Sequence, residues 1–181
     1  MIQPIQSKID AGQPLDPVEH LQRLLAAGKF ECPKGLIKWF HLGPPNVDDD
    51  GTGIGAGDPD HQNQTSLPGL NADKDPYSVI PGGVGPRHDI PLGSLMIVID
   101  GATGKVAWSF YGDVGPRFEM GEVAIATAEE LGFEREANGR IINEGLPDCI
   151  WYFVLPEIVG SDRSVAAVKA QCAPYWAALI S

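Results

Sequence analysis

Five consecutive apolar residues, Leu95-Met96-Ile97-Val98-Ile99, constrain this chain more than any other segment. A half-buried strand alternates apolar and polar positions. This run is apolar on both faces, which predicts a central strand over Gly93–Asp100 covered on both sides. Gly101-Ala102-Thr103-Gly104 follows and makes a good hairpin loop. Lys105–Tyr111 is therefore expected to return as the antiparallel partner, with Trp108 and Phe110 on one face and Ser109 and Tyr111 on the other.

Further strands are expected at Tyr77–Pro81, Arg140–Asn143 and Asp148–Leu155, and Cys32–Phe40 reads as a short strand or a turn. A helix is expected over Asp16–Gly28. Asp16 can cap it, Pro17 suits the first turn, Glu19 completes an Asp-x-x-Glu box, and Val18, Leu21, Leu24 and Leu25 form one apolar face. A second is expected over Gly121–Leu131, with Val123, Ile125 and Ala126 inward and Gly132 as its stop. A third, Ser164–Ile180, should be interrupted near Pro174, which has no backbone N–H to donate. Between these elements Gly43–Lys74 is long, irregular and rich in Gly, Pro, Asp and Asn. Strands in the middle and helices at the ends predict an α+β fold: a mostly antiparallel, barrel-like sheet core, with a double-psi barrel as one form it could take, and peripheral helices. The 181 residues fit a single domain, 1–181, made of an N-terminal helical segment (1–30), a core (31–160) and a C-terminal helix (161–181).

The net charge of −11 argues against nucleic acid as a partner, because no basic surface exists to displace its counterions. A polycationic ligand would instead be attracted. No apolar run is long enough to span a bilayer. The opening MIQPIQSKIDAGQPLDP lacks the basic and apolar regions of a secretory signal. The expected location is thus cytoplasmic, or outside the cell by a signal-independent route, or extracellular if a leader was trimmed. Cys32, Cys149 and Cys172 are widely spaced and suit buried thiols or at most one bridge, not a zinc site.

The segment from Gly112 to Phe133, GDVGPRFEMGEVAIATAEELGF, carries the chemistry. Asp113 is expected in a Gly/Pro loop after an apolar strand, and Glu122 where the helical pattern begins. Two carboxylates on rigid elements either side of a tight loop suit glycosidic bond cleavage: one protonates the leaving oxygen while the other activates water or attacks the sugar carbon. Elsewhere, Asp48-Asp49-Asp50-Gly51-Thr52-Gly53 starts like a calcium loop, but Pro59 stands where a bidentate Glu belongs, so no metal or other cofactor is expected. Gly51, Gly53, Gly55 and Gly57 do not have the spacing of a nucleotide loop. Ser66, Ser78 and Ser94 lack a nucleophile-elbow context. His61 is the one histidine whose surroundings invite a role. Among the aromatics, Tyr77 and Tyr111 could stack on sugar rings, and Tyr111 is the best placed to line a cleft beside Asp113.

The order of segments NVDDDG, DPDHQNQTSL, DPYSVIPGG, LGSLMIVIDGATGKVAWSFYGDVGP, MGEVAIATAEELGF and LPDCIWYFVLP resembles the chitosanases of glycoside hydrolase family 75, from about Trp39 to Pro156. The resemblance implies endo-hydrolysis of β-1,4-linked glucosamine chains with inversion at the anomeric carbon, and it places the two essential carboxylates on Asp113 and Glu122. The chain departs from the family in having Asp49 where many members have a cysteine.

On that reading the substrate is a cationic amino-sugar polysaccharide. Asp48, Asp49, Asp50, Asp58, Asp60, Asp73 and Asp75, with Tyr77 and Tyr111, would line its cleft, because charge-assisted hydrogen bonds favour ammonium groups over acetamides. Inversion predicts carboxyl groups roughly 6.5–9.5 Å apart, with room for a water. Glu122 in a first helical turn would be held ionised by the helix dipole, which suggests Glu122 as base and Asp113 as proton donor. The alternatives are a peptidoglycan hydrolase acting as a secreted effector, a catalytically inactive carbohydrate-binding domain, and a calcium-stabilised structural domain.

Overall fold

The computed structural model describes residues 17–29, 35–43, 46–53, 61–101, 103–117, 122–134 and 150–180. Among them lie seven strands: β1 (Trp39–Gly43), β2 (Asn46–Asp48), β3 (Tyr77–Pro81), β4 (Ser94–Asp100), β5 (Val106–Gly115), β6 (Glu122–Ala124) and β7 (Ile150–Ile158). The helices are α1 (Pro17–Ala26), α2 (Val84–Arg87), α3 (Ile125–Glu130) and α4 (Val165–Leu179). The strands form one curled sheet in the order β1-β7-β4-β5-β3-β6-β2, so the fold is α+β.

The apolar run lies where its pattern requires. All seven residues of β4 are buried, and Ile97 is paired on one side with Trp108 of β5 and on the other with Phe153 of β7. The β4–β5 turn is closed by Gly104, whose N–H donates to Asp100 O (2.7 Å) and whose φ of +78° suits a residue without a Cβ. Thr103 Oγ1 donates to Asp100 Oδ2 at 2.6 Å and braces the same turn.

The expectation of a mostly antiparallel sheet holds only in part. β1–β7, β4–β7, β4–β5 and β3–β6 are antiparallel, whereas β3–β5 and β2–β6 are parallel. The hairpin occupies one edge of β5. β3 must then take the other edge, and residues 82–93 carry the chain back so that β5 runs in the same direction as β3.

Two of the boundaries that differ from the sequence expectation do so for the same reason. β5 does not stop at Tyr111 but continues to Gly115, because Val79, Ile80 and Pro81 supply ladder partners for Asp113, Val114 and Gly115. Glu122, expected in a first helical turn, is the first residue of β6, because Asn46–Asp48 pairs with Glu122–Ala124 and Ser78 bridges to Val123. The helix starts only at Ile125, and its stop is Gly132, at φ +81°. Inter-strand hydrogen bonding here overrides local helical propensity.

The C-terminal helix is also not interrupted. α4 runs through Pro174, capped by Ser164, whose Oγ accepts from Ala167 N. Burial of Val168, Cys172 and Leu179 along its length offsets the bond that Pro174 cannot donate. The helix packs on β4 and β5. Trp176 meets Trp108 edge-on, with ring centroids 5.8 Å apart and planes at 86°, and Cys172 Sγ lies 3.6 Å from Met96 O. Burial pushes the Cys172 thiol up to about 12, so it is an inert core group. Cys32, Cys149 and the strand expected at Arg140–Asn143 lie outside the described residues. None of the described helices is long and apolar enough to cross a membrane.

Ile97, with no exposed surface, sits at the centre of this packing. Ile97→Ala is expected to cost about 2–5 kcal/mol in urea unfolding, the range for a cavity in an unyielding core; a loss below about 1 kcal/mol would show that β4 is not the keystone.

Candidate functional site

The far end of β5 positions the first carboxylate through a fault in the ladder. Tyr77 pairs with Phe110 and Ser78 with Tyr111, but Val79 pairs with Asp113, which leaves Gly112 as the extra residue of a β-bulge. In a regular strand Tyr111 and Asp113 would share a face. The bulge turns them to opposite faces, so Asp113 follows Tyr77 and Val79 while Tyr111 follows Ser78. Glycine is required at the bulge: a Cβ there would lie 2.5 Å from Tyr77 Cβ and 2.7 Å from Leu70 Cδ1.

Asp113 is buried, and its Oδ1 receives three hydrogen bonds: from Ser66 N (2.8 Å), Ser66 Oγ (2.5 Å) and Val114 N (2.7 Å). Glu122 arrives on β6. Its Oε2 lies 3.0 Å from where a Cβ on Gly115 would stand, two residues beyond Asp113 on the same strand. The parallel pairing of β2 with β6 sets Asp48 opposite Ala124, so Asp48 and Glu122 share one face of that pair. Asp50 follows on the next turn, its N–H donating to Asp48 Oδ1 at 2.8 Å.

The outcome is a concentration of acids at one end of the sheet. One carboxylate oxygen from each of Asp48, Asp50 and Asp113 lies within 4.8 Å of the others, and Asp49, Asp50 and His61 form a second such set. Oxygen donors at this spacing are those that could hold a hard cation, and the set with an imidazole suits a softer one. The same clustering also suits organic ammonium groups.

Burial raises the Asp48 carboxyl to about 8, with the neighbouring charges of Asp50, Glu122 and Asp113 adding to the shift and the Asp50 N–H opposing it. Asp50 is raised by burial and by Asp113 and Asp49, against the pull of its hydrogen bond from Gln62 N. His61 is pulled down by burial, but Asp49 Oδ1, 3.1 Å from Nδ1, more than offsets this and the imidazole is raised.

The other expected site residues fall in different places. Tyr77 has no exposed surface; its hydroxyl donates to Asp50 O at 2.9 Å, so it props the acidic loop from below and offers no ring face for stacking. Tyr111 does line a cavity of about 540 Å³, with Gly85, Ile90, Leu92 and Val114, but on the sheet face opposite Asp113. Asp75 closes a turn, its Oδ2 accepting from Asn71 N at 2.8 Å. Asp58 and Asp60 lie outside the described residues. Ser66 lacks a nucleophile context in the sequence. Its contact with Asp113 spans 47 positions, and no local pattern signals it. No protein-family model matches the chain, and no curated protein matches it.

Two outcomes follow from this geometry. The native state holds the Asp48 proton up to about pH 8, whereas the unfolded chain releases it near 3.8. The native state therefore binds more protons across that window, and stability must fall as pH rises through it. Melting temperatures at pH 5 and pH 8 should show a larger fall for the wild type than for Asp48→Asn; equal falls would refute the buried proton. Gly112→Ala should lose about 1–3 kcal/mol in chemical unfolding through overpacking against Tyr77 and Leu70, and a neutral result would mean that the bulge is not needed.

Proposed function

We propose that this protein is a glycoside hydrolase that cleaves β-1,4 bonds of chitosan, akin to the chitosanases of glycoside hydrolase family 75, with Asp113 and Glu122 as its two reacting carboxyl groups. The observation that carries the reading is the approach of Glu122 Oε2 to the strand end that bears Asp113, although the two residues come from different strands of the sheet. The double-psi form of barrel belongs to the same proposal; the curl of the sheet and its two parallel pairs support it.

In this mechanism one carboxyl group donates its proton to the leaving glycosidic oxygen. The other removes a proton from a water that attacks the anomeric carbon from the opposite side, so the configuration inverts. The ionised acids around the pair attract the substrate's ammonium groups, and an acetylated sugar would leave them unpaired. Asp48, protonated at neutral pH by its burial, lowers the repulsion among the remaining carboxylates. A helix dipole at Glu122 would make Asp113 the acid and Glu122 the base, but Glu122 stands on a strand, which has no such dipole to offer. The pH–rate profiles assign the roles: the amide variant that loses the alkaline limb has lost the proton donor.

The test is a reducing-end assay on chitosan, chitin and peptidoglycan with the wild type, Asp113→Asn and Glu122→Gln. The wild type should release reducing ends from chitosan, and each variant should lose about 10²–10⁴-fold in kcat. Cleavage of peptidoglycan alone would move the substrate class to cell-wall glycan. Oligosaccharide binding without new reducing ends, or variants that both keep wild-type turnover, would refute the hydrolase reading.

A further inference from the structure

We infer that Ser66 is the positioning residue of this site: its hydroxyl locks the rotation of the Asp113 carboxyl group and so decides which oxygen faces the substrate. The inference rests on the hydrolase reading above and adds to it a residue that neither the sequence pattern nor the family resemblance singles out.

The geometry is direct. Ser66 gives Asp113 Oδ1 two donors, its backbone N–H at 2.8 Å and its hydroxyl at 2.5 Å, and Val114 N adds a third at 2.7 Å. A serine hydroxyl has a single hydrogen. Once that hydrogen is committed to Oδ1, the oxygen's lone pairs face Val114 N, 3.2 Å away, which the hydroxyl also accepts. The Asp113 carboxyl group is thereby held at one oxygen by donors from two directions, and Oδ2 is the atom left to exchange a proton with substrate or water.

Ser66 can act in this way because its own segment is anchored at both ends. Gln62 N donates to Asp50 Oδ1, and Gly51 N donates back to Gln62 O at 2.8 Å, which ties the start of the segment to the acidic loop. Leu67 N donates to Gly112 O at 2.9 Å, which ties the segment to the bulge beside Asp113. The segment is thus a strap between the loop that bears Asp48 and Asp50 and the strand that bears Asp113. Asp113 keeps its place in the ladder through backbone pairing with Val79, so Ser66 orients the carboxyl group without being needed to hold the strand.

Replacing Ser66 with alanine removes one donor and leaves both backbone donors in place. The carboxyl group stays bound but gains freedom to rotate, a small change in stability and a large one in reactive geometry. The experiment measures kcat, KM and melting temperature on chitosan for the wild type, Ser66→Ala, Ser66→Thr and Asp113→Asn. Ser66→Ala should lower kcat about 10–100-fold with KM within about twofold of the wild type and a nearly unchanged melting temperature. Ser66→Thr, which keeps the hydroxyl, should restore most of the loss.

A Ser66→Ala variant with wild-type kcat, beside an inactive Asp113→Asn, overturns the positioning role and leaves the hydrolase reading intact. So does a loss that appears only in KM or in melting temperature, or one that threonine does not repair. A wild type that releases no reducing ends, or an Asp113→Asn variant with wild-type turnover, overturns the hydrolase reading and this inference with it.

Discussion

Double-edged pairing of β5 is the constraint from which the rest of the structure follows. One edge is taken by the hairpin with β4 and the other by the parallel strand β3, so the ten residues of β5 can neither slide nor tilt without breaking both ladders. The first half of the strand is core: Ala107 and Phe110 are fully buried, and Trp108 is covered by Trp176. The second half carries the acidic cluster's Asp113, held at a position that the first half determines. A single strand thus converts hydrophobic burial at one end into positional accuracy at the other.

Against this stands an electrostatic cost. Asp48, Asp49 and Asp113 are all buried, and Asp48, Asp50 and Asp113 converge to within 4.8 Å. Like charges this close in a partly dehydrated site repel strongly, and the chain answers in two ways. Asp48 keeps its proton, and donors are supplied to the others: Gln62 N to Asp50, His61 to Asp49, and Ser66 with Val114 to Asp113. A cationic ligand entering the cluster would relieve the remaining repulsion. Stability given up in the free protein would then be returned as affinity, the relation expected between strained sites and their ligands.

Much of the scaffold was legible because its signals are local. The doubly apolar run announced a central strand, Gly101–Gly104 announced the hairpin, and the alternation of Trp108, Ser109, Phe110 and Tyr111 survives in the contacts: Trp108 meets α4, while Ser109 bonds Ser78. Gly28 and Gly132 end their helices in the left-handed conformation that their positions suggested. Asp113 and Glu122 are likewise visible in the sequence as acids on either side of a Gly/Pro loop. The parallel strand pairs were not legible, because partner choice between segments some thirty or more residues apart leaves no trace in either segment alone. The extension of β5, the conversion of Glu122 from helix to strand, and the bulge at Gly112 all depend on those pairings.

By itself, then, the sequence determined which segments are apolar on one face or two, where the chain must turn, and that acids outnumber bases around a Gly-rich loop. Those properties are read residue by residue from side-chain polarity and backbone freedom. Tertiary structure alone decided which acids converge, which of them retains a proton, and which face of the sheet each aromatic serves. Tyr77 became a buried prop and Tyr111 moved to the opposite face, while Ser66 came to grip Asp113. The physical reason is common to all three. Register, bulge and long-range hydrogen bonds set the direction of a side chain and the dielectric around it, and these are properties of pairs of segments that no single segment possesses.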